Sequence, residues 1–189
     1  MRIVVTLALS CLLLAGCSKE EAKPPVIPTP TIQGVEVFSG LSHAHLGKGD
    51  YPQSYPQSPP VGGPHSVRWL KCGSYTQPLP KENAVHSIEH GAIWLTYATD
   101  ATAADTVALG ELAKLSPEYV LVSPYAGQDN PVIATTWGLQ LRVDSPADPR
   151  LVAFVKQYAG GNQGGEPGVG CARGGLTPEE ALQFNASQR

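Results

Sequence analysis

Residues 84–97 read AVHSIEHGAIWLTY, and His86, Glu89 and His90 fall within five positions of a chain that has only five histidines. Imidazole is the commonest transition-metal ligand and is mostly neutral near pH 7. Spaced four apart, His86 and His90 share one face of any helical turn and can hold one ion between them. Written as H-x-x-E-H, the stretch is also the inverted zinc-peptidase pattern, in which both histidines bind zinc and the glutamate activates a water. That pattern needs a sustained helix. Gly91 follows at once, and the β-branched and aromatic residues after it imply a strand at 92–97, so the expectation is a single turn. A metal site without hydrolysis therefore fits better than a hydrolase with Glu89 as its base. A third reading is a structural corner, with the histidines bonded to loop carbonyls and Glu89 capping or pairing with Arg68 or Lys71.

The other histidines, His43, His45 and His65, lie in a stretch too rich in proline and glycine for a helix. Such loops can fold back over a strand end and complete a site, and an irregular stretch this long is usually functional when ordered. Thioether ligation is excluded, because the single methionine is residue 1. Trp69, Trp94 and Trp137 sit in apolar contexts and are expected in the core. GGNQGGEPGVG, residues 160–170, lacks the Lys-Ser/Thr of a phosphate loop and reads as a flexible segment next to Cys171.

The elements that must carry these residues follow from periodicity. VEVFSG near residue 35 is a short strand, and AIWLTY is a buried one. DATAADTVALGELAKLS is a helix capped by Asp100 or Thr102, with Asp105 closing a capping box and Ala104, Ala108, Leu112 and Leu115 as its stripe. YVLVSPY is a second buried strand, and PVIATTWGLQLRV a third, broken or bulged at Gly138. Asp148-Pro149 opens a helix with Leu151, Phe154, Val155 and Tyr158 inward and Gly160 as its stop. Thr177 and Glu180 form a capping box for a short C-terminal helix. The fold class is α+β: a small mixed sheet with two packed helices, long Pro/Gly-rich loops and that last helix.

Arg2 and the apolar run of residues 3–16 form a signal peptide, ending in Leu14-Ala15-Gly16-Cys17, a lipoprotein cleavage box. On this reading residues 1–16 are removed and Cys17 is lipidated, attaching the protein to the membrane. Residues 17–34, charged and then proline-rich, form a disordered tether, and residues 35–189 a single globular domain. The expected location is the cell envelope; since Ser18, not aspartate, follows Cys17, that means the outer membrane, facing the periplasm, in a cell that has one. The net charge of −3 and the lack of a Lys/Arg run leave nothing for nucleic acid to bind. Of four cysteines, Cys11 leaves with the signal and Cys17 takes lipid. Cys72 and Cys171 remain in an oxidising setting that favours a disulfide, with thiolate ligation of a soft metal the alternative.

YPQSPPVGGPHSVRW, CGSY, ENAVHSIEHGAIWLTY, LVSPY, TTWGLQL, DPRLVAFVKQY and EPGVGC occur in that order, and together they resemble the bacterial family known as domain of unknown function 3105. The resemblance spans roughly residues 45–171. It implies an exported, often membrane-tethered protein and supplies no reaction. It picks out His45, His65, His86, Glu89 and His90 as motif positions and leaves His43 outside. Cys72 and Cys171 also fall on motif positions, which favours the disulfide. Histidines in separate motifs imply one shared site, with His65, His86, His90 and His45 as ligands and Glu89 supporting them. Copper is the first choice of ion, because imidazole-rich sites bind it most tightly among divalent first-row metals; zinc is second. A buffering, delivery or sensing role would involve a metal-trafficking partner protein. The alternatives are a zinc hydrolase and a structural envelope protein without metal. If the site exists, the PPVGGPH loop must bring His65 to His86 and His90, with ligand nitrogens within about 4 Å of one another.

Overall fold

The computed structural model describes residues 27–166 and 168–189. The signal peptide, Cys17 and the first part of the tether lie outside the described residues. Six strands form one mixed sheet in the order β1-β6-β5-β3-β4-β2. They are β1 (Val35–Val37), β2 (Gly73–Ser74), β3 (Ile93–Tyr97), β4 (Val120–Pro124), β5 (Val132–Thr136) and β6 (Leu139–Val143). Four helices accompany them: α1 (Lys81–Glu89), α2 (Ala103–Ala113), α3 (Pro149–Tyr158) and α4 (Pro178–Ser187). The chain is α+β with a small mixed sheet and a short C-terminal helix, as its periodicity implies.

β3, β4 and β5 are buried along their whole length and are mostly apolar, and the strand period of two sorts their side chains between two cores. Ile93, Leu95, Val120 and Val122 face one side with Leu109 of α2 and Leu151, Phe154 and Val155 of α3. Trp94 and Leu121 face the other side with Ala84, Val85 and Ile88 of α1 and Ala181 of α4. β3, α2 and β4 make a parallel crossover unit, while β5 and β6 run antiparallel beside β3.

Helix α3 buries the four residues that its period selects, and Asp148 caps it by accepting from Arg150 N. Thr102–Asp105 and Thr177–Glu180 are both complete capping boxes. The stripe of α2 is different. Leu109 and Ala113 are its buried residues, whereas Ala104 and Leu115 are exposed. Alanines carry too little apolar surface to orient a helix against a leucine one position along. The stretch around Gly138 is two strands, not one: Trp137 and Gly138 are a two-residue turn, with Gly138 at φ +70° and Thr136 opposite Leu139. The end of the expected tether is also not free. Ile27 and Ile32 pack against the α2–α3 core, and Thr31 Oγ1 donates to Gln157.

Candidate metal centre

α1 is the element that sequence reading shortened to a turn. It runs for nine residues, and Glu82 to Glu89 are all buried, so tertiary contacts, not propensity, hold it. Asn83 donates to Ser66 Oγ and the Arg68 carbonyl and accepts from Asn185 of α4. Ser87 accepts from Leu70 N and donates to a carbonyl. At the C-terminus His90 is the cap residue and Gly91 stands at φ +85°. Gly91 N donates to Ile88 O and Ala92 N to Ser87 O, a Schellman ending that turns the chain directly into β3.

His86 and His90 thus project from one face of a real helix, one turn apart. Two loops fold back onto them. Leu46 N donates to His65 O and His65 N to Ala44 O, so the two irregular segments pair locally and set His45 beside His65. Ring centroids are 4.9 Å apart for His45 and His65, 5.0 Å for His45 and His86, and 4.9 Å for His65 and His86. The turn residue Trp137 forms the floor, with His43 stacked on it at 4.4 Å and His65 edge-on at 5.7 Å. Gly62, at φ +147°, lets the loop lie on that indole; a Cβ there would sit 2.8 Å from Leu41 and 3.2 Å from Trp137. Trp94 and Trp137 are core residues, whereas Trp69 is only half-buried and packs edge-on against His90 at 4.7 Å.

The tautomers follow from the hydrogen bonds. His65 Nδ1 is 2.8 Å from the Gly63 carbonyl, and His86 Nδ1 is 2.6 Å from the Ser66 carbonyl. A carbonyl oxygen only accepts, so both Nδ1 atoms carry the proton and both Nε2 atoms turn inward. His65 Nε2 is fully buried and stands 2.8 Å from Glu89 Oε2, but off the direction a hydrogen bond requires, so it has no such partner. A nitrogen lone pair facing a carboxylate oxygen is answered by a cation between them, either a proton on Nε2 or a metal ion. Glu89 Oε1 takes a second histidine, accepting from His43 Nδ1 at 2.6 Å.

One ligand atom each from His45, His65, His86 and Glu89 lie within 4.8 Å of one another, modestly wider than the expected spacing. His90 falls elsewhere. Four residues of helix rise set its backbone roughly 6 Å further along α1, and although its ring centroid stays 4.5 Å from that of His86, it groups with His86 and Glu166 instead. Glu89 therefore stands among the grouped ligand atoms, and it pairs with His43 and His65, not with Arg68 or Lys71. His43, which the sequence motifs left out, touches the site through Glu89. Glu166 was missed altogether. It rides on the glycine-rich segment, which is packed against α1: a Cβ on Gly164 would sit 2.1 Å from the Glu89 carbonyl, and Gln163 is buried and donates to Tyr158 O. That density of glycine was the available signal.

Burial drives the electrostatics. It pushes His86 down to about 3, with His65 and His90 adding to the effect, so this ring is a neutral donor throughout the physiological range. His90 is also lowered by burial, against the pull of Glu166. Burial is the largest influence on Glu89 and would raise it. His65 and His43 beside it, with His86, prevail and hold the carboxylate below its usual range. The buried rings of His65 and His86, the exposed ring of His45 and the buried Glu89 carboxylate together are a group that could hold a metal ion. At the edge, Cys72 and Cys171 are disulfide-bonded, with Cα atoms 4.9 Å apart, so neither is a thiolate ligand.

A family model described as "Protein of unknown function (DUF3105)" matches residues 48–173. His65, His86, Glu89, His90, Glu166 and both bridged cysteines lie within that span; His43 and His45 precede it. No curated protein and no solved structure matches the chain.

Proposed function

The chain belongs to the DUF3105 family, which brings no reaction with it, and we propose from its side chains that it binds one divalent first-row transition ion through His45, His65, His86 and Glu89. The observation that carries this reading is the inward Nε2 of His65, buried beside a carboxylate without a hydrogen bond, next to an equally inward Nε2 of His86. The Gly63 and Ser66 carbonyls would supply the outer contacts that fix ligand tautomer and orientation. Three imidazoles and a carboxylate suit copper(II) first, by the Irving–Williams order, and zinc second. With the lipoprotein signal in residues 1–17, the proposal is an envelope-anchored module that buffers, delivers or senses that ion, with a metal-trafficking protein as its exchange partner.

Elemental analysis of untagged protein purified from cells tests occupancy and ion identity together. The expected result is about one ion per chain in the wild type, copper over zinc, and its loss in both His65→Ala and His86→Ala. Wild-type protein that takes up neither ion when titrated would overturn the proposal.

A zinc hydrolase stays the second reading, because α1 supplies the sustained helix that H-x-x-E-H requires. Against it, Glu89 groups with His45, His65 and His86 as a ligand, and a carboxylate bound to the ion is a poor base for the ion's own water.

A further inference from the structure

The inner donor set does not use His90 or Glu166. Yet His86, His90 and Glu166 bring one ligand atom each within 4.8 Å of one another. His86 Nε2 is 3.0 Å from His90 Nε2, which is in turn 3.0 Å from Glu166 Oε2. Two imidazole nitrogens on one ion at roughly 2.0–2.1 Å stand about that far apart across a right angle. The place is built, not incidental. His86 and His90 are 3% and 2% exposed, and Trp69 covers His90. His90 Nδ1 is buried with no hydrogen-bond partner, so its Nε2 is the nitrogen aimed at the other two donors. The Glu166 side chain, by contrast, is 52% exposed. This set has one donor in solvent and two in the core.

The two donor sets share His86, which has one lone pair to give, and in the metal-free structure that lone pair accepts from His90 Nε2. The His86 Nδ1–H is committed to the Ser66 carbonyl, which leaves Nε2 alone to bind metal. One lone pair serves one ion, so the inner and outer positions exclude each other. We infer that His86, His90 and Glu166 form an outer station through which a divalent first-row ion reaches and leaves the inner position, with His86 as the ligand common to both. This rests on the inner site being a metal site. An ion in water meets the exposed carboxylate first and exchanges water for Glu166, His90 and His86. It then keeps His86 while His65, His45 and Glu89 replace the other two. Ligand bonds are exchanged, the proton on His90 Nε2 passes to its Nδ1 when Nε2 takes the ion, and the ion's oxidation state does not change. Sharing also sets the stoichiometry: six candidate donors hold one ion, not two.

A station on the path that is empty at equilibrium has a kinetic signature distinct from that of a ligand or a structural prop. Removing it slows binding and release by the same factor and leaves Kd where it was. The test uses untagged full-length protein, copper(II) as the probe, and EDTA to drive release. Glu166→Gln is the informative variant, because an exposed side chain can be changed without threatening the fold. Wild type is expected to bind one copper per chain. Glu166→Gln is expected to bind one as well, at unchanged Kd, with uptake and EDTA-driven release both slowed about ten-fold. His65→Ala, reduced to the outer donors, is expected to bind weakly and exchange fast. Wild-type rates in Glu166→Gln, a change in its Kd through release alone, or two coppers per wild-type chain would each overturn the outer station while leaving the inner site standing. No copper in the wild type would remove the inner site and this inference with it.

Discussion

His65 and His86 each aim Nδ1–H at a carbonyl of the 63–66 segment, and that small geometric fact turns both Nε2 atoms inward. Glu89 is the residue on which the binding and hydrolase readings differ most. Under the binding reading, Glu89→Gln removes a carboxylate donor and is expected to weaken copper binding by about 10–100-fold, with no turnover before or after. Competitive chelator titration and assays on peptide, ester and phosphate substrates check this. Wild-type turnover abolished by the change, at nearly intact metal content, would favour the hydrolase instead. Acid stability belongs at this scale too. Metal-free protein carries His86 lowered from 6.5 to about 3 in the fold. Between those values the unfolded chain binds a proton that the folded chain does not, so stability rises with pH there. The contribution is complete above about 6.5 and is lost progressively toward 3. His45, His65, His90 and Glu89 face this ring. Glu89 acts in the same direction, since its lowered carboxyl loses its contribution as pH falls below the ordinary glutamate range. Urea midpoints of chelator-treated protein, from about pH 7.5 to about 4.5, should fall steadily. A flat profile would mean that His86 is not buried as a neutral ring.

Helix α1 is the element that the site depends on, and it is held from outside. It has no side-chain N-cap, and its polar residues bond to the 66–70 segment and to α4. Gly91→Ala should expose that dependence. The new Cβ would force a residue at φ +85° and approach Gly161 O to 2.7 Å. We expect a loss of about 2–3 kcal/mol, read as a lower denaturation midpoint, with copper affinity reduced as His90 and the 160–166 segment shift. Asn83→Ala leaves buried partners on two elements without their bond and should cost about 1–3 kcal/mol. If the Asn83 variant were as stable as wild type, the polar clasp between α1 and α4 would be energetically idle.

For the whole molecule, the Cys72–Cys171 bridge closes a loop of 99 residues. It joins the strand-edge segment before α1 to the end of the segment carrying Glu166. On the chain-entropy account a loop of that length is worth about 4–5 kcal/mol. Reduction, or Cys72→Ser with Cys171→Ser, should lower Tm by roughly ten degrees. Two free thiols in non-reduced, denatured protein would remove the bridge from the account. The proposed lipid anchor, Cys17, lies outside the described residues. Detergent-phase partitioning of the expressed protein should vanish in Cys17→Ser, and persistence there would sink the lipid anchor. No helix among the described residues is long and apolar enough to cross a membrane.

The sequence by itself determined the elements whose information is local. Alternation and apolar runs placed β3 and β4, capping chemistry placed the starts of α2, α3 and α4, and a 3.6-residue stripe oriented α3 correctly. The i,i+4 spacing of His86 and His90 likewise marked them as a pair on one face before any fold was known. Tertiary structure decided whatever depended on partners far along the chain. α1 is buried all round and lacks a cap, so nothing in residues 81–89 announces its length; Ser66, Arg68 and Asn185 do that. His43 and Glu166 joined the site, and His90 left the inner group, because a backbone pairing of residues 44–46 with 65 and a glycine-packed segment set positions that spacing does not encode. Donor identity is written in side-chain type, but donor geometry depends on which backbone carbonyl meets each imidazole. His65 finds its carbonyl two residues away in its own loop, but for His86 this is settled only when a segment twenty residues away closes on α1.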